Sequence, residues 1–463
     1  MDLLLTHGYF LAEDRKEQKV MKPYPPLGLL YLSAFLKSKG VDVRVYDTTF
    51  RKKTEFYRFI ESERPSLVGI YSNLMTKVNV LQMIRFLKTK GITVILGGPE
   101  ATYNADDYIK HGVDIVVVGE GEVTLAETAQ ALLDGKVSAL DSVAGIVYRR
   151  DDGSIIHTAP RHYVEDLDKL PLPDRKSVDI PAYIDTWRKH HGMGSVSLIT
   201  ARGCPFHCNW CSTAVYGHSH RRRSAGRVAD EIAMLKEQYQ PDMLWFADDV
   251  FAINHKWFFE FAAELKRRRL ETPFECISRA DRLTEEVLRT MKELGCFRVW
   301  FGSESGSQRV LDSMERGVTV EQIRTTTKSV RKYGIEAGLF VMLGYAGETV
   351  EEIEETIEHL KKADPNTFLT TVAYPIKGTG FYEKVSVNLV QPGPWDRTPE
   401  REISFRGRYC RPFYWFANRR LVNEVRFHQV RSNNGHTGLK ALKLLAKARV
   451  ARLGMSATKY FRS

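Results

Sequence analysis

The 463-residue chain is 43% apolar and 27% charged, a globular balance with enough apolar side chains for two or three domain cores. No uncharged apolar run reaches about 18 residues, so no membrane-spanning helix is expected. The start, MDLLLTHGYFLAEDRKEQK, also lacks the basic opening and long apolar stretch of a secretion signal.

The formal charge of +11 is uneven: residues 401–463 hold 15 Lys and Arg against 2 Asp and Glu, leaving the first 400 residues at −2. Those first residues begin with short apolar runs alternating with amphipathic stretches. Strands are predicted at 3–5, 41–47, 67–72, 93–98 and 114–120, with helices near 26–39, 54–63, 76–90, 104–111 and 122–134. Strands apolar throughout and separated by helices predict a parallel sheet covered on both faces. Residues 1–140 are therefore expected to form a doubly wound, Rossmann-like α/β domain, which binds ligands at the carboxyl ends of its strands. Gly97, Gly98 and Pro99 follow one strand there, and Gly119, Glu120 and Gly121 the next. Glycine lets a ligand approach the backbone, though tight turns alone use it too. Neither cluster is a GxGxxG fingerprint, and no GxxxxGK(S/T) loop occurs.

Residues 141–190 read as a hairpin around Asp151, Asp152 and Gly153, then a proline-punctuated linker. From Ser195 the alternation resumes, with strands predicted at 195–200, 242–247, 273–278, 297–302, 338–343 and 368–374. Six βα units over 191–385 suit a partial or full barrel of parallel strands, the partial (β/α)6 form being the expectation, with its active residues at the strand carboxyl ends. Residues 386–463 form a basic, mainly helical C-terminal region, including GLKALKLLAKARVARL at 438–453.

Three of the six cysteines fall in ITARGCPFHCNWCSTA, directly after the first barrel strand. Cys276, Cys296 and Cys410 are isolated and read as ordinary buried thiols. Cys204, Cys208 and Cys211 are too few for a structural zinc site unless His207, His218 or His220 adds the fourth ligand. On an iron–sulfur cubane, three thiolates leave one iron without a protein ligand, open to a substrate or cofactor. Spacing alone leaves both alternatives standing.

CPFHCNWC, with Trp210 before the third cysteine, resembles the signature of the radical S-adenosylmethionine (SAM) enzymes. WFADDVF (245–251), ISRAD (277–281), FGSESGSQRVLDSMERG (301–317), VMLGYAGETVEEIEETI (341–357) and AYPIKGTGFY (373–382) are similar to later βα turns of that family. The resemblance implies a 4Fe–4S cluster on Cys204, Cys208 and Cys211, with SAM on the open iron. It places Asp248 or Asp249 at the SAM amino group and Arg279 at its carboxylate. Trp210 also falls near SAM, Glu304 faces its ribose or the substrate, and Glu348 reads as a cap of the helix starting near Thr349. Ala346 departs from the proline usual in the family. One electron from such a cluster cleaves SAM to a 5′-deoxyadenosyl radical that abstracts hydrogen.

PYPPLGLLYLSAFLKSKG (23–40), GGPEAT (97–102) and VVGEGE (117–122) look like the cobalamin-binding domain that precedes many of these barrels. The resemblance thus extends over about residues 1–385. It implies cobalamin contacts from Gly97, Gly98, Pro99, Gly119, Glu120 and Gly121; the Ser72–Asn73–Leu74–Met75 loop after the third strand is either a further cobalamin contact or the turn that starts the next helix. The Asp-x-His-x-x-Gly motif that puts histidine on cobalt is absent.

The expected activity is hydrogen abstraction from an unactivated carbon followed by cobalamin-dependent C-methylation. Oxidative cyclisation or ring rearrangement, as in porphyrin cyclases, is the alternative, and a non-catalytic cobalamin-binding protein is the third reading. Methylthiolation would require a second cysteine triad upstream, and the first 203 residues contain no cysteine. Expected partners are a small-molecule substrate and an external one-electron donor of flavodoxin or ferredoxin type. The basic helix suits packing on the barrel with a solvated basic face, contact with an acidic substrate or partner, or a peripheral membrane contact, which would go with a lipid-like substrate and a cytoplasmic chain at the inner membrane face. Nucleic acid is not expected, because no nucleic-acid fold accompanies the charge.

Overall fold

The computed structural model describes residues 1–434 and 438–461; positions 435–437 and 462–463 of the basic C-terminal region lie outside the described residues. The first sheet contains β1 (Leu3–His7), β2 (Val43–Tyr46), β3 (Leu67–Tyr71), β4 (Thr93–Gly97), β5 (Ile115–Val117), β6 (Ile146–Arg149) and β7 (Ile155–His157), in the order β2-β1-β3-β4-β5-β6-β7. The five strands β1 to β5 are parallel, and alternate residues bury opposite faces. Leu4, Val68 and Val94 pack on Leu81 and Ile84 of one helix layer, whereas Leu3, Leu5 and Ile95 pack on Leu29 and Leu125 of the other. The order reverses between β1 and β3, which opens a crevice at their carboxyl ends.

The hairpin expected in the linker belongs to this sheet. β6 pairs antiparallel with β5, placing Ile115 opposite Tyr148, and β7 completes the edge. Buried Ile146, Val147 and Tyr148 give β5 an apolar partner where it would otherwise be an open edge.

The second sheet has six parallel strands in chain order: β8 (Ser195–Leu198), β9 (Met243–Phe246), β10 (Phe274–Ser278), β11 (Cys296–Glu304), β12 (Glu336–Leu343) and β13 (Thr367–Val372). β8 and β13 remain at opposite edges, so the sheet is an open barrel. Helices follow the strands, and Thr284, Thr319 and Thr349 cap three of them. The cap of the Val350–Ala363 helix is Thr349, with Glu352 completing a capping box. Glu348, expected in that role, turns back to accept from the Gly344 N–H instead.

The last helices, Arg411–Asn434 and Leu439–Thr458, form a hairpin against the Val350–Ala363 helix. Phe413, Ala417, Leu421 and Val425 join the barrel core, and Arg420 pairs with Glu354. Before them the chain passes back over the first domain, where Glu400 pairs with the fully buried Lys77 and Trp395 meets Tyr108 edge-on at 5.0 Å. Among the described residues, no helix is long and apolar enough to cross a membrane.

Buried charge holds the two sheets together. Arg202 donates to Glu120 at 2.9 Å and also to Glu122, and Arg221 donates to Glu120 at 2.8 Å. Tyr183 reaches across to Asp47 at 2.8 Å and Thr49 at 2.7 Å, and the Trp187 indole donates to the Pro23 carbonyl at 2.8 Å. Directional bonds of this kind fix one relative placement of the two domains.

Candidate cofactor cavity between the two sheets

The carboxyl ends of both sheets face one cavity of about 790 Å³. From the first sheet it is bordered by His7 at the end of β1, Asn73 after β3, Gly97 at the end of β4 with Gly98 and Pro99 beyond it, and Gly119, Glu120 and Gly121 after β5. From the second come Cys204, Cys208, Trp210 and Cys211 after β8, Asp249 after β9, Arg279 after β10, and Glu304 and Arg316 at and beyond the end of β11. The sequence separates these groups by up to three hundred residues; strand topology alone brings them together.

The cysteine loop is braced by cations. Arg316 Nη1 donates to the Cys208 Sγ at 3.6 Å, and Arg279 Nη1 to the same sulfur at 3.8 Å. Arg279 also stacks on Phe206, 3.6 Å from the ring centroid, and bonds Asp281 at 2.9 Å. All three cluster cysteines are free thiols. Burial pushes the Cys204 thiol up and the Cys211 thiol up to about 12, with the Asp249 carboxylate adding to both.

The neighbouring aspartates divide. Asp248 is buried and accepts from the Thr200 N–H at 2.6 Å, the Ala201 N–H at 3.1 Å and the Thr200 hydroxyl. It ties β9 to the start of the cysteine loop and does not border the cavity. Asp249 does, and burial together with the charge of Asp248 raises its carboxyl above the usual range.

Glu304 sits at φ +54, at a register shift between Gly302 and Glu304. A non-glycine residue held in that region signals a constrained site. Its side chain folds back over Gly302, where a Cβ would lie 2.1 Å from Glu304 Oε1, so a larger residue there would displace the Glu304 carboxylate. Burial pushes the Glu304 carboxyl up to about 7, opposed by Arg316 at 3.9 Å. Arg316 went unnoticed in the sequence, although Glu315 (φ +54) and Gly317 (φ +66) on either side mark a turn built to present it.

On the other wall, Ser72 lies outside the cavity with its hydroxyl 3.0 Å from that of Tyr108. The Asn73 side chain accepts from the Met75 and Thr76 N–H groups at 3.0 and 3.2 Å, a local turn before the Lys77–Thr89 helix. Glu120 borders the cavity, but its oxygens are engaged by Arg202, Arg221 and the Val164 N–H. Gly98, at φ +106, brings the backbone so close to Ser72 that a Cβ would lie 2.4 Å from the Ser72 carbonyl.

A profile of the radical SAM superfamily matches residues 198–360, and one of the B12 binding domain matches residues 18–129. The chain is 30% identical over 379 residues to an uncharacterised methyltransferase of Pyrococcus horikoshii, covering 80% of this chain and 81% of that one. The chain belongs to the radical SAM superfamily. This radical SAM protein is also 29% identical over 356 residues to the anaerobic magnesium-protoporphyrin IX monomethyl ester cyclase of Rubrivivax gelatinosus, spanning 74% of its own length and 63% of the cyclase. Its fold matches that of the radical SAM methyltransferase TsrM from Kitasatospora setae, solved with cobalamin and a 4Fe–4S cluster. The TM-score is 0.72 at 18% identity, over 98% of this chain and 99% of TsrM.

Membership, with the B12 domain, implies three cofactors: a 4Fe–4S cluster, SAM and cobalamin. The residues present fit them. A cubane asks for ligands spread so that each thiolate meets its own iron, and the three free thiols border one space. The buried Trp210 Nε1 has no hydrogen-bond partner and borders that space. On the cobalamin side glycine backbone forms part of the wall. A Cβ at Gly28 would meet nothing within 4 Å, and one at Gly119 only the Val215 carbonyl at 3.8 Å, room for a broad flat ligand to lie close.

Proposed function

We propose that this chain methylates an unactivated carbon of a small-molecule substrate. The observation that carries the reading is the shared cavity, in which the cysteine loop of one sheet faces the glycine-lined strand ends of the other. When bound, the cluster and SAM supply a 5′-deoxyadenosyl radical for hydrogen abstraction, and cobalamin supplies a methyl group.

The protein's own part is binding, orientation and exclusion of water. Cys204, Cys208 and Cys211 would hold the cluster. Asp249 would accept from the SAM ammonium, Arg279 would face its carboxylate, and Glu304 and the unpartnered Trp210 N–H would meet the rest of SAM or the substrate. Asp248 serves by fixing the loop. Gly97, Gly98, Pro99, Gly119 and Gly121 would let cobalamin approach the backbone, with Asn73 bordering and Ser72 behind; Glu120 clamps that wall to the barrel. Residues 1–140 form the cobalamin unit in this reading, 141–190 the connection, 191–385 the radical unit and 386–463 the accessory region.

Finer elements belong to the same proposal: a flavodoxin- or ferredoxin-type electron donor, a cytoplasmic location, and a peripheral membrane contact through the basic C-terminal helix with a lipid-like substrate. The test is SAM labelled in its methyl group, supplied to reduced protein with cell extract. A labelled methyl on a new product supports methylation. A product that loses mass without gaining label favours cyclisation, the activity named for the Rubrivivax relative.

A further inference from the structure

The Leu439–Thr458 helix has two apolar faces. Ala441, Ala448, Ala451 and Met455 are buried, and the helix packs along the Arg411–Asn434 helix. On the opposite side Leu439, Leu442, Val450 and Leu453 are 77%, 51%, 66% and 72% exposed, with exposed Ala446 between them. At the helical repeat these five fall within a stripe of roughly 80°. Exposed Lys443 and Lys447 flank the stripe on one side, and Arg449 and Arg452 on the other. Residues 438–461 carry six Lys and Arg and no Asp or Glu. At the far end Tyr460 and Phe461 are exposed, and the Phe461 carbonyl accepts from the Cys410 N–H at 3.1 Å.

We propose that this outward face docks on an anionic phospholipid surface, its leucines and valine entering the acyl boundary and its cations meeting the headgroups. The inference rests on the peripheral-contact reading above and assigns it a face and a lipid class. Charge complementarity selects the occupant. A second copy presenting the same face would set four positive charges against four. Nucleic acid would satisfy the cations and leave the apolar stripe in water. An anionic bilayer takes both.

The test is flotation of the full chain with vesicles of phosphatidylcholine mixed with phosphatidylglycerol, against phosphatidylcholine alone. The wild type is expected to float with the mixed vesicles, less so at higher salt, and weakly with the neutral ones. The triple variant L442Q/V450Q/L453Q is expected to keep its circular dichroism and melting temperature and to lose about tenfold in vesicle affinity. The quadruple variant K443Q/K447Q/R449Q/R452Q is expected to lose the preference for phosphatidylglycerol. Wild type that binds while the triple variant binds equally would overturn the assigned face and leave the peripheral contact standing. Wild type that binds neither vesicle would overturn both. Self-association abolished by the triple variant, or oligonucleotide binding indifferent to it without vesicle binding, would also overturn the inference.

Discussion

Arg316 places its guanidinium 3.6 Å from the sulfur of Cys208, and Arg279 approaches the same sulfur from 3.8 Å. An N–H donated to a cluster thiolate withdraws electron density and raises the reduction potential. Arg316→Gln is therefore expected to shift the cluster's midpoint potential to more negative values, and Arg316→Lys to shift it less. Potentiometric titration followed by electron paramagnetic resonance reads the effect. An unchanged potential in a folded, cluster-loaded R316Q protein would mean that the guanidinium only braces the loop.

The two aspartates after β9 are expected to separate stability from binding. Asp248→Ala strands the Thr200 and Ala201 N–H groups in a buried site and should cost about 2–4 kcal/mol, seen as a lower melting temperature. Asp249→Asn removes charge facing the cavity; it should leave melting within about 0.5 kcal/mol of wild type and weaken SAM binding. Isothermal titration with SAM distinguishes them, and weakened SAM binding by a fully stable D248A protein would reverse the assignment.

Glu348 predicts a pH dependence of stability. Burial pushes its carboxyl up to about 8, against the Gly344 N–H that pulls it down. The folded state thus holds the proton more tightly than the unfolded chain. The stabilisation from the protonated form is complete below the ordinary pKa of 4.5 and is lost as pH rises towards 8. Glu348→Gln keeps an acceptor for Gly344 without charge. It should raise stability at pH 8 by about 1–2 kcal/mol and change little near pH 5. Equal effects in thermal melts at both pH values would contradict this.

Glu120 is expected to act on the domain interface. Its partners Arg202 and Arg221 are buried or nearly so, and Glu120→Ala leaves them short of a counter-charge. A loss of about 3 kcal/mol is expected in protein free of cobalamin. If Glu120 served cobalamin alone, melting of that cobalamin-free protein would not change.

The alternation of strands and helices was legible because each parallel strand is a short apolar run bounded by amphipathic helix. The place of β6 and β7 was not, since a hairpin signal is local and its edge partner, β5, is not. The cysteine loop could be read from its spacing and its position after a strand. Which of Asp248 and Asp249 turns inward could not, because strand periodicity ends at Phe246. Arg316 lies 108 positions from Cys208, so no sequence window contains the contact. Glu120 looked like part of a ligand loop because glycines flank it; its partner Arg202 lies 82 residues away.

The most direct measurement is SAM cleavage. Protein reconstituted anaerobically, with a full cluster by iron and sulfide analysis, is reduced with dithionite and incubated with SAM, and the products are separated by liquid chromatography and mass spectrometry. Wild type is expected to form 5′-deoxyadenosine, and C204S, C208S and C211S to form none. Cluster-loaded, reduced wild type that leaves SAM intact would contradict the assignment of this cavity to radical chemistry.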